Sequence, residues 1–183
     1  MRLRPGTVAP TFATTDFLGT PVDLAALRGR PVMLSFYRYA ACPLCNLRVH
    51  ELIGAHDRLG EMGLAMVAVF QSPAERIAEQ VGRQDAPFPI VADPSMALYR
   101  DYGVETRWGG LASAAVARSG LAAMRSGFRP GRTDGPVQRV PADFLIDRDG
   151  SIAVAHYGRD IGDHLPIDEI EAWLRSSAPN AER

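Results

Sequence analysis

The stretch RPVMLSFYRYAACPLCNLRVHEL, from Arg30 to Leu52, decides how this chain folds and where its chemistry lies. Its first part, Arg30 to Tyr37, is a short apolar run with no charge after the first residue, as expected for a central parallel strand buried on both faces. Beyond it the period changes. Leu44, Leu47, Leu52, Ala55 and Leu59 recur at near-helical spacing until Gly60 and Gly63 stop the pattern. A buried strand thus passes directly into a helix, with Cys42 and Cys45 at the junction, the end of a parallel sheet where active sites collect.

The residue types suit that place. A thiolate at a helix N-terminus is favoured by the unsatisfied amides and the helix dipole, which lower its pKa and make it a nucleophile near neutral pH. Residues three apart on a helix have neighbouring Cβ atoms, about 5 to 6 Å apart, so a Cys42–Cys45 disulfide needs only modest adjustment. Two other readings compete with this one. Unpaired cysteines are often simply small buried residues, but the placement of this pair argues against that. A metal site needs two more ligands, for which the candidates are His50, His56, His156 and His164 with nearby carboxylates. His50 and His56 are six apart, on different faces of one helix, and neither makes a recognised zinc spacing with the cysteines.

Outward from this centre the alternation continues. An apolar run at Gly63 to Phe70 is followed by a helix opened by Ser72 and Pro73, a strand near Phe88 to Ala92, and a short helix from Asp93-Pro94 through Tyr102. Far downstream, Asp143 to Asp147 and Ser151 to Tyr157 read as strands joined by Arg148, Asp149 and Gly150 in a tight hairpin. Pro166 to Leu174 closes the chain as a helix with Ile167, Ile170 and Trp173 or Leu174 on one face, and the tail from Ser176 is expected to fray. The order βαβ, insertion, ββα contains the units of an α/β thioredoxin-like fold, a central mixed sheet flanked by helices with a helical insertion before the C-terminal hairpin.

That insertion, roughly residues 104 to 140, is too long for a bare loop. Leu111, Ala114, Ala117, Leu121, Met124 and Phe128 follow one another at spacings of three or four, which predicts an amphipathic helix packed through this stripe onto the domain or a second subunit. Arg118, Arg125 and Arg129 are expected on a neighbouring, accessible face. A solvated basic edge, a lid over the cysteines, a subunit contact and a docking surface for an acidic partner all fit that arrangement.

Composition bounds the rest. With 183 residues, 46% of them hydrophobic, one well-filled domain over residues 1–183 is expected. A net charge of -1, with both signs mixed along most of the chain, gives no global case for nucleic acid. All 20 basic residues are Arg. The opening MRLRPGTVAPTF lacks the apolar core of a signal peptide and no run is long enough to cross a bilayer, so a cytoplasmic protein without membrane partners is expected. Two cysteines so close together are the wrong economy for a secreted, disulfide-stapled domain.

The opening PGTVAPTFATTDFLGTPVDLAALRGRPVMLSFYR, the CPLC motif, the strand-helix alternation and the late PADFLIDRDGSI together resemble the peroxiredoxin-like branch of the thioredoxin superfamily, the alkyl hydroperoxide reductase and thiol-specific antioxidant group. The resemblance implies reduction of a hydroperoxide, or alternatively of a disulfide, through a Cys42/Cys45 dithiol-disulfide cycle without metal or organic cofactor. It also implies a thiol reductant, either a thioredoxin-like protein or a low-molecular-weight thiol, and possible homodimerisation. Aligning on Phe36-Tyr37 puts Cys45 at the family's peroxide-reactive position, whereas aligning on Cys-Pro selects Cys42, so the attacking sulfur stays open. The family's thiolate-stabilising Arg is replaced by Pro141 at its expected position, leaving Arg139 and Arg38 as substitutes. Pro141 itself fits the cis-proline that thioredoxin-like oxidoreductases place beside their cysteines.

Overall fold

The structure, a computed structural model, describes residues 1–106 and 114–177. The uncharged run forms β3 (Val32–Phe36), every residue of it buried, in the middle of a five-stranded sheet of order β5-β4-β3-β6-β7. On one side β3 runs parallel to β4 (Ala65–Phe70), which is parallel to β5 (Ile90–Ala92); on the other it is antiparallel to β6 (Ala142–Ile146), which pairs antiparallel with β7 (Ile152–Tyr157). The sheet is therefore mixed, and the turn between β6 and β7 is closed by the Gly150 amide donating to the Asp147 carbonyl at 2.9 Å. A small hairpin, β1 (Ala13–Thr15) and β2 (Pro21–Asp23), precedes it.

One face of the sheet carries α1 (Pro43–Glu61), α2 (Ala74–Glu79) and α5 (Ile167–Ser176), whose Leu52, Leu59, Ile77, Ile170 and Leu174 share one core. The other face is covered by α3 (Ala97–Asp101) and the N-terminal segment, where Phe36, Tyr99, Tyr102 and Phe144 meet edge to face or tilted, at 5.0 to 5.9 Å. Among the described residues, no helix is long and apolar enough to cross a membrane.

The insertion does contain a helix, α4 (Ala114–Arg125), packed on α1. Its facing differs from the expected stripe. Ala123 is fully buried, and Val116, Ser119 and Gly120 are half-buried beside it, whereas Ala117, Leu121 and Met124 point outward. Of the remaining stripe, Phe128 is half-buried against the core, and Leu111 and the Ala114 side chain lie outside the described residues. The physical reason is close approach: a helix laid tightly on α1 needs small residues at the contact, so the larger Leu and Met are displaced outward. Arg118, Arg125 and Arg129 are exposed as expected.

This facing sets an expected result. Ala123→Asp buries an unpaired charge, costing on the order of 3 kcal/mol, and should lower the melting temperature by about 6 to 12 °C for a domain of this size. Leu121→Ser, on the open side, should change stability by no more than about 0.5 kcal/mol. Thermal melts that rank the two variants the other way round would reverse the facing.

Candidate active site

β3 delivers the chain to Tyr37, whose amide still donates to the Val69 carbonyl of β4 at 2.8 Å. Arg38 to Ala41 then turn toward α1, and Cys42 sits just before the first helical residue with extended dihedrals and Pro43 behind it. Pro tolerates that position because the first turn has no intrahelical acceptor for its missing N–H. The bend is locked by Asn46, whose Nδ2 donates to the carbonyls of Ala40 at 2.7 Å and Cys42 at 2.9 Å. Both cysteines are free thiols, and the Cys42 side chain has no solvent exposure.

The two sulfurs are polarised in opposite senses. Burial opposes ionisation of Cys42, but the Cys45 thiol donating to its sulfur, the Arg38 guanidinium and the amides of Cys45 and Leu44 outweigh burial and bring its pKa down to about 6. Cys45 is pushed well above the ordinary thiol range, first by burial and then by its hydrogen bond to Cys42 and the charge on that sulfur. The helix N-terminus thus stabilises one thiolate and holds the second sulfur as its proton-bearing donor.

Of the two candidate arginines, the fold brings Arg38 to the cysteines. Arg38 leaves β3 buried, donates through NH1 to Cys42 Sγ at 3.3 Å, and through NH2 to the Val137 carbonyl. Arg139 does not share this contact. It donates to Gln71 Oε1 at 3.0 Å, the Val104 carbonyl at 2.8 Å and Met96 Sδ at 2.9 Å, and lies 4.8 Å from the centre of the Tyr99 ring. Pro141 corrects the cis reading: none of the described peptide bonds is cis. A trans bond keeps the chain extended into β6, where the Pro141 carbonyl accepts from Gly158 N at 2.9 Å and Ala142 pairs with Tyr157.

The segment after α4 returns across the cysteine loop as a strap. Phe128 meets His50 of α1 at 6.0 Å between ring centres, and Gly131 N donates to the Ala41 carbonyl at 3.3 Å. Asp134 accepts from Ser72 Oγ at 3.1 Å and pairs with Arg76 at 3.5 Å, while Ser72 Oγ itself accepts from Ala40 N at 2.8 Å. Gln71 Nε2 donates to the Asp134 carbonyl at 2.8 Å, which links Arg139 to the strap through one glutamine. Sequence reasoning missed Asn46, Gln71, Ser72 and Asp134. Gln71 and Ser72 had a usable signal, because they directly follow β4, the strand parallel to β3, at the same end of the sheet as the cysteines.

Behind the pair, Tyr37 is fully buried between Phe70, stacked at 4.7 Å, and His164, at 5.0 Å. Asp143, opposite Ser35 in the β3–β6 register, accepts from Leu165 N at 2.7 Å and lies 3.1 Å from His164 Nδ1. Burial alone would raise the Asp143 carboxyl, but His164, Arg48 and the Leu165 amide hold it well below the usual carboxylate range. Among the described residues no group of three or more His, Cys, Asp or Glu is placed to hold a metal ion.

A vicinal dithiol at the end of the central strand, one sulfur held toward the thiolate and the other toward the thiol, defines a thiol-dependent oxidoreductase of thioredoxin-like fold. Comparison with known proteins narrows the class. The family model of the AhpC/TSA family matches residues 5–155, and the chain belongs to that family. Among its relatives is the Mycobacterium tuberculosis protein Rv2521, whose name assigns it provisionally to the peroxiredoxins, 31% identical over 90% of this chain and 91% of the relative. Peroxiredoxin Bcp of Escherichia coli K12 is 25% identical over 96% of this chain and 98% of its own. Among solved structures, peroxidoxin BcpB from Mycobacterium tuberculosis superposes with a TM-score of 0.72, covering 97% of this chain and 100% of that chain at 19% identity.

Proposed function

We propose that Cys42 is the sulfur that attacks a hydroperoxide and that Cys45 resolves the product. The opposite polarisation of the two thiols carries this reading. The Cys42 thiolate attacks one peroxide oxygen, the O–O bond breaks, and water or an alcohol leaves after taking up a proton. Cys42 is then a sulfenic acid. Cys45, with its proton lost, attacks that sulfur and water leaves, closing the Cys42–Cys45 disulfide; a thiol reductant supplies the two electrons that reopen it. Arg38 steadies the thiolate, and its buried Nε, unpartnered among the described residues, is a donor available to the peroxide oxygen. Arg139 is a positioning residue acting through Gln71 and the strap.

The AhpC/TSA family match and the peroxiredoxins among the relatives support a hydroperoxide over a protein disulfide as the oxidising substrate. A pair that must be reduced again after each turnover suits the reducing cytoplasm. Addition of one equivalent of hydrogen peroxide to the reduced chain is expected to remove both thiols, with peptide mapping finding Cys42 joined to Cys45. Retention of both thiols under these conditions, alongside rapid oxidation by a protein disulfide, would favour the disulfide-exchange reading instead.

A further inference from the structure

The insertion turns a concentrated positive charge outward. Between Thr106 and Thr133 there are five arginines and no Asp or Glu, in a chain whose overall charge is -1. Arg118, Arg125, Arg129 and Arg132 are all exposed, and none of them forms an ion pair within the described residues. Leu121, 50% exposed, lies three residues after Arg118 and four before Arg125, so it shares their side of α4, with Met124 exposed beside it. Arginine around exposed Leu and Met has the composition of an interface centre and rim. Its place is as informative as its chemistry. Arg129 and Arg132 flank Gly131, the residue seated on Ala41 next to Cys42.

We infer that this face docks an acidic dithiol protein, the reductant that reopens the Cys42–Cys45 disulfide. The inference rests on the dithiol cycle proposed above. A macromolecular reductant that reaches the covered sulfurs from the side of the strap meets these guanidinium groups, which have no carboxylate partner among the described residues, and negative charge on it is drawn to them. The partner's thiolate attacks the Cys42 sulfur and displaces Cys45, which takes up a proton. The partner's second thiol then closes a disulfide within the partner and releases Cys42. Two electrons and two protons pass to this chain, and no other reactant is needed. An anionic membrane is the weaker occupant, because among the described residues the large exposed apolar side chains of the face are Leu121 and Met124 alone.

The test forms the disulfide chemically with diamide and follows its re-reduction by an acidic thioredoxin and, separately, by dithiothreitol. Arg118→Glu/Arg125→Glu/Arg129→Glu is the variant, all three positions being exposed. The expected result is a loss of about 10-fold or more in the thioredoxin rate, with the dithiothreitol rate unchanged within about twofold. The wild-type thioredoxin rate should fall with added salt as charges are screened, and the variant's should not. A thioredoxin rate that ignores both the charge reversal and salt overturns the docking assignment. So does the same indifference accompanied by charge-dependent binding to phosphatidylserine vesicles, or by a wild-type dimer that the variant dissociates. Because diamide makes the disulfide, charge-dependent re-reduction in a chain that fails to consume peroxide would remove the peroxidase reading and leave the docking face standing.

Discussion

Cys42→Ser is expected to abolish peroxide consumption, whereas Cys45→Ser should complete one fast turnover and then stop. The first loss is total because no other nucleophile in the site has its ionisation favoured: Cys45 is held as a buried thiol by the neighbour it donates to. In Cys45→Ser the hydroxyl can still donate to the Cys42 sulfur, so the first attack survives. No thiol remains to condense with the sulfenic acid, and further peroxide carries it up the oxidation ladder to the sulfinic and sulfonic acids. Stopped-flow peroxide assays with mass spectrometry of the cysteine peptide check both outcomes. If Cys42→Ser keeps the burst and Cys45→Ser loses it, the roles are exchanged.

Arg38→Met should slow the peroxide step by about 10² to 10³-fold, the usual consequence of deleting one preorganised donor at developing negative charge. The pH profile separates this from loosening of the loop. In the wild type the thiolate fraction, and with it the rate, is expected to rise through a pKa of about 6 and then level off. Arg38 is one of the groups that lower that pKa, so its removal should move the rise to higher pH and leave part of the loss recoverable in alkaline buffer. Arg139→Met should leave the midpoint in place and act mainly on stability, since it removes hydrogen bonds to Gln71, Val104 and Met96 rather than to either cysteine sulfur. Equal midpoints in wild type and Arg38→Met, measured by thiolate absorbance, would take Arg38 out of the mechanism.

The strands, the helices and the reactive pair were legible in the chain because their signals are local. An uncharged run such as Val32–Phe36 has few alternatives to a buried strand, and two cysteines three apart at its end need no long-range information. What could not be read depends on contacts across the fold. Arg38 and Arg139 are equivalent in sequence terms; only the course of Val137 and Gln71 directs one to sulfur and the other away from it. The facing of α4 within the chain depends on such a contact too. Hydrophobic periodicity ranks Leu121 and Met124 above Ala123, whereas a close helix contact selects for small size. The cis reading of Pro141 came from family resemblance, and the β6–β7 pairing shows what the chain does there instead.

The contact between Gly131 and Ala41 leaves almost no room for variation. A Cβ built on Gly131 would stand 2.7 Å from the Ala41 Cβ, a methyl fixed to the backbone that has no torsion by which to withdraw. Glycine is required there for clearance, and the smallest possible enlargement, Gly131→Ala, must push strap and cysteine loop apart. One methyl group is therefore a wedge between the strap and the loop that carries Cys42, and the amino-acid alphabet available at position 131 is narrowed to a single letter for as long as the two stay in contact.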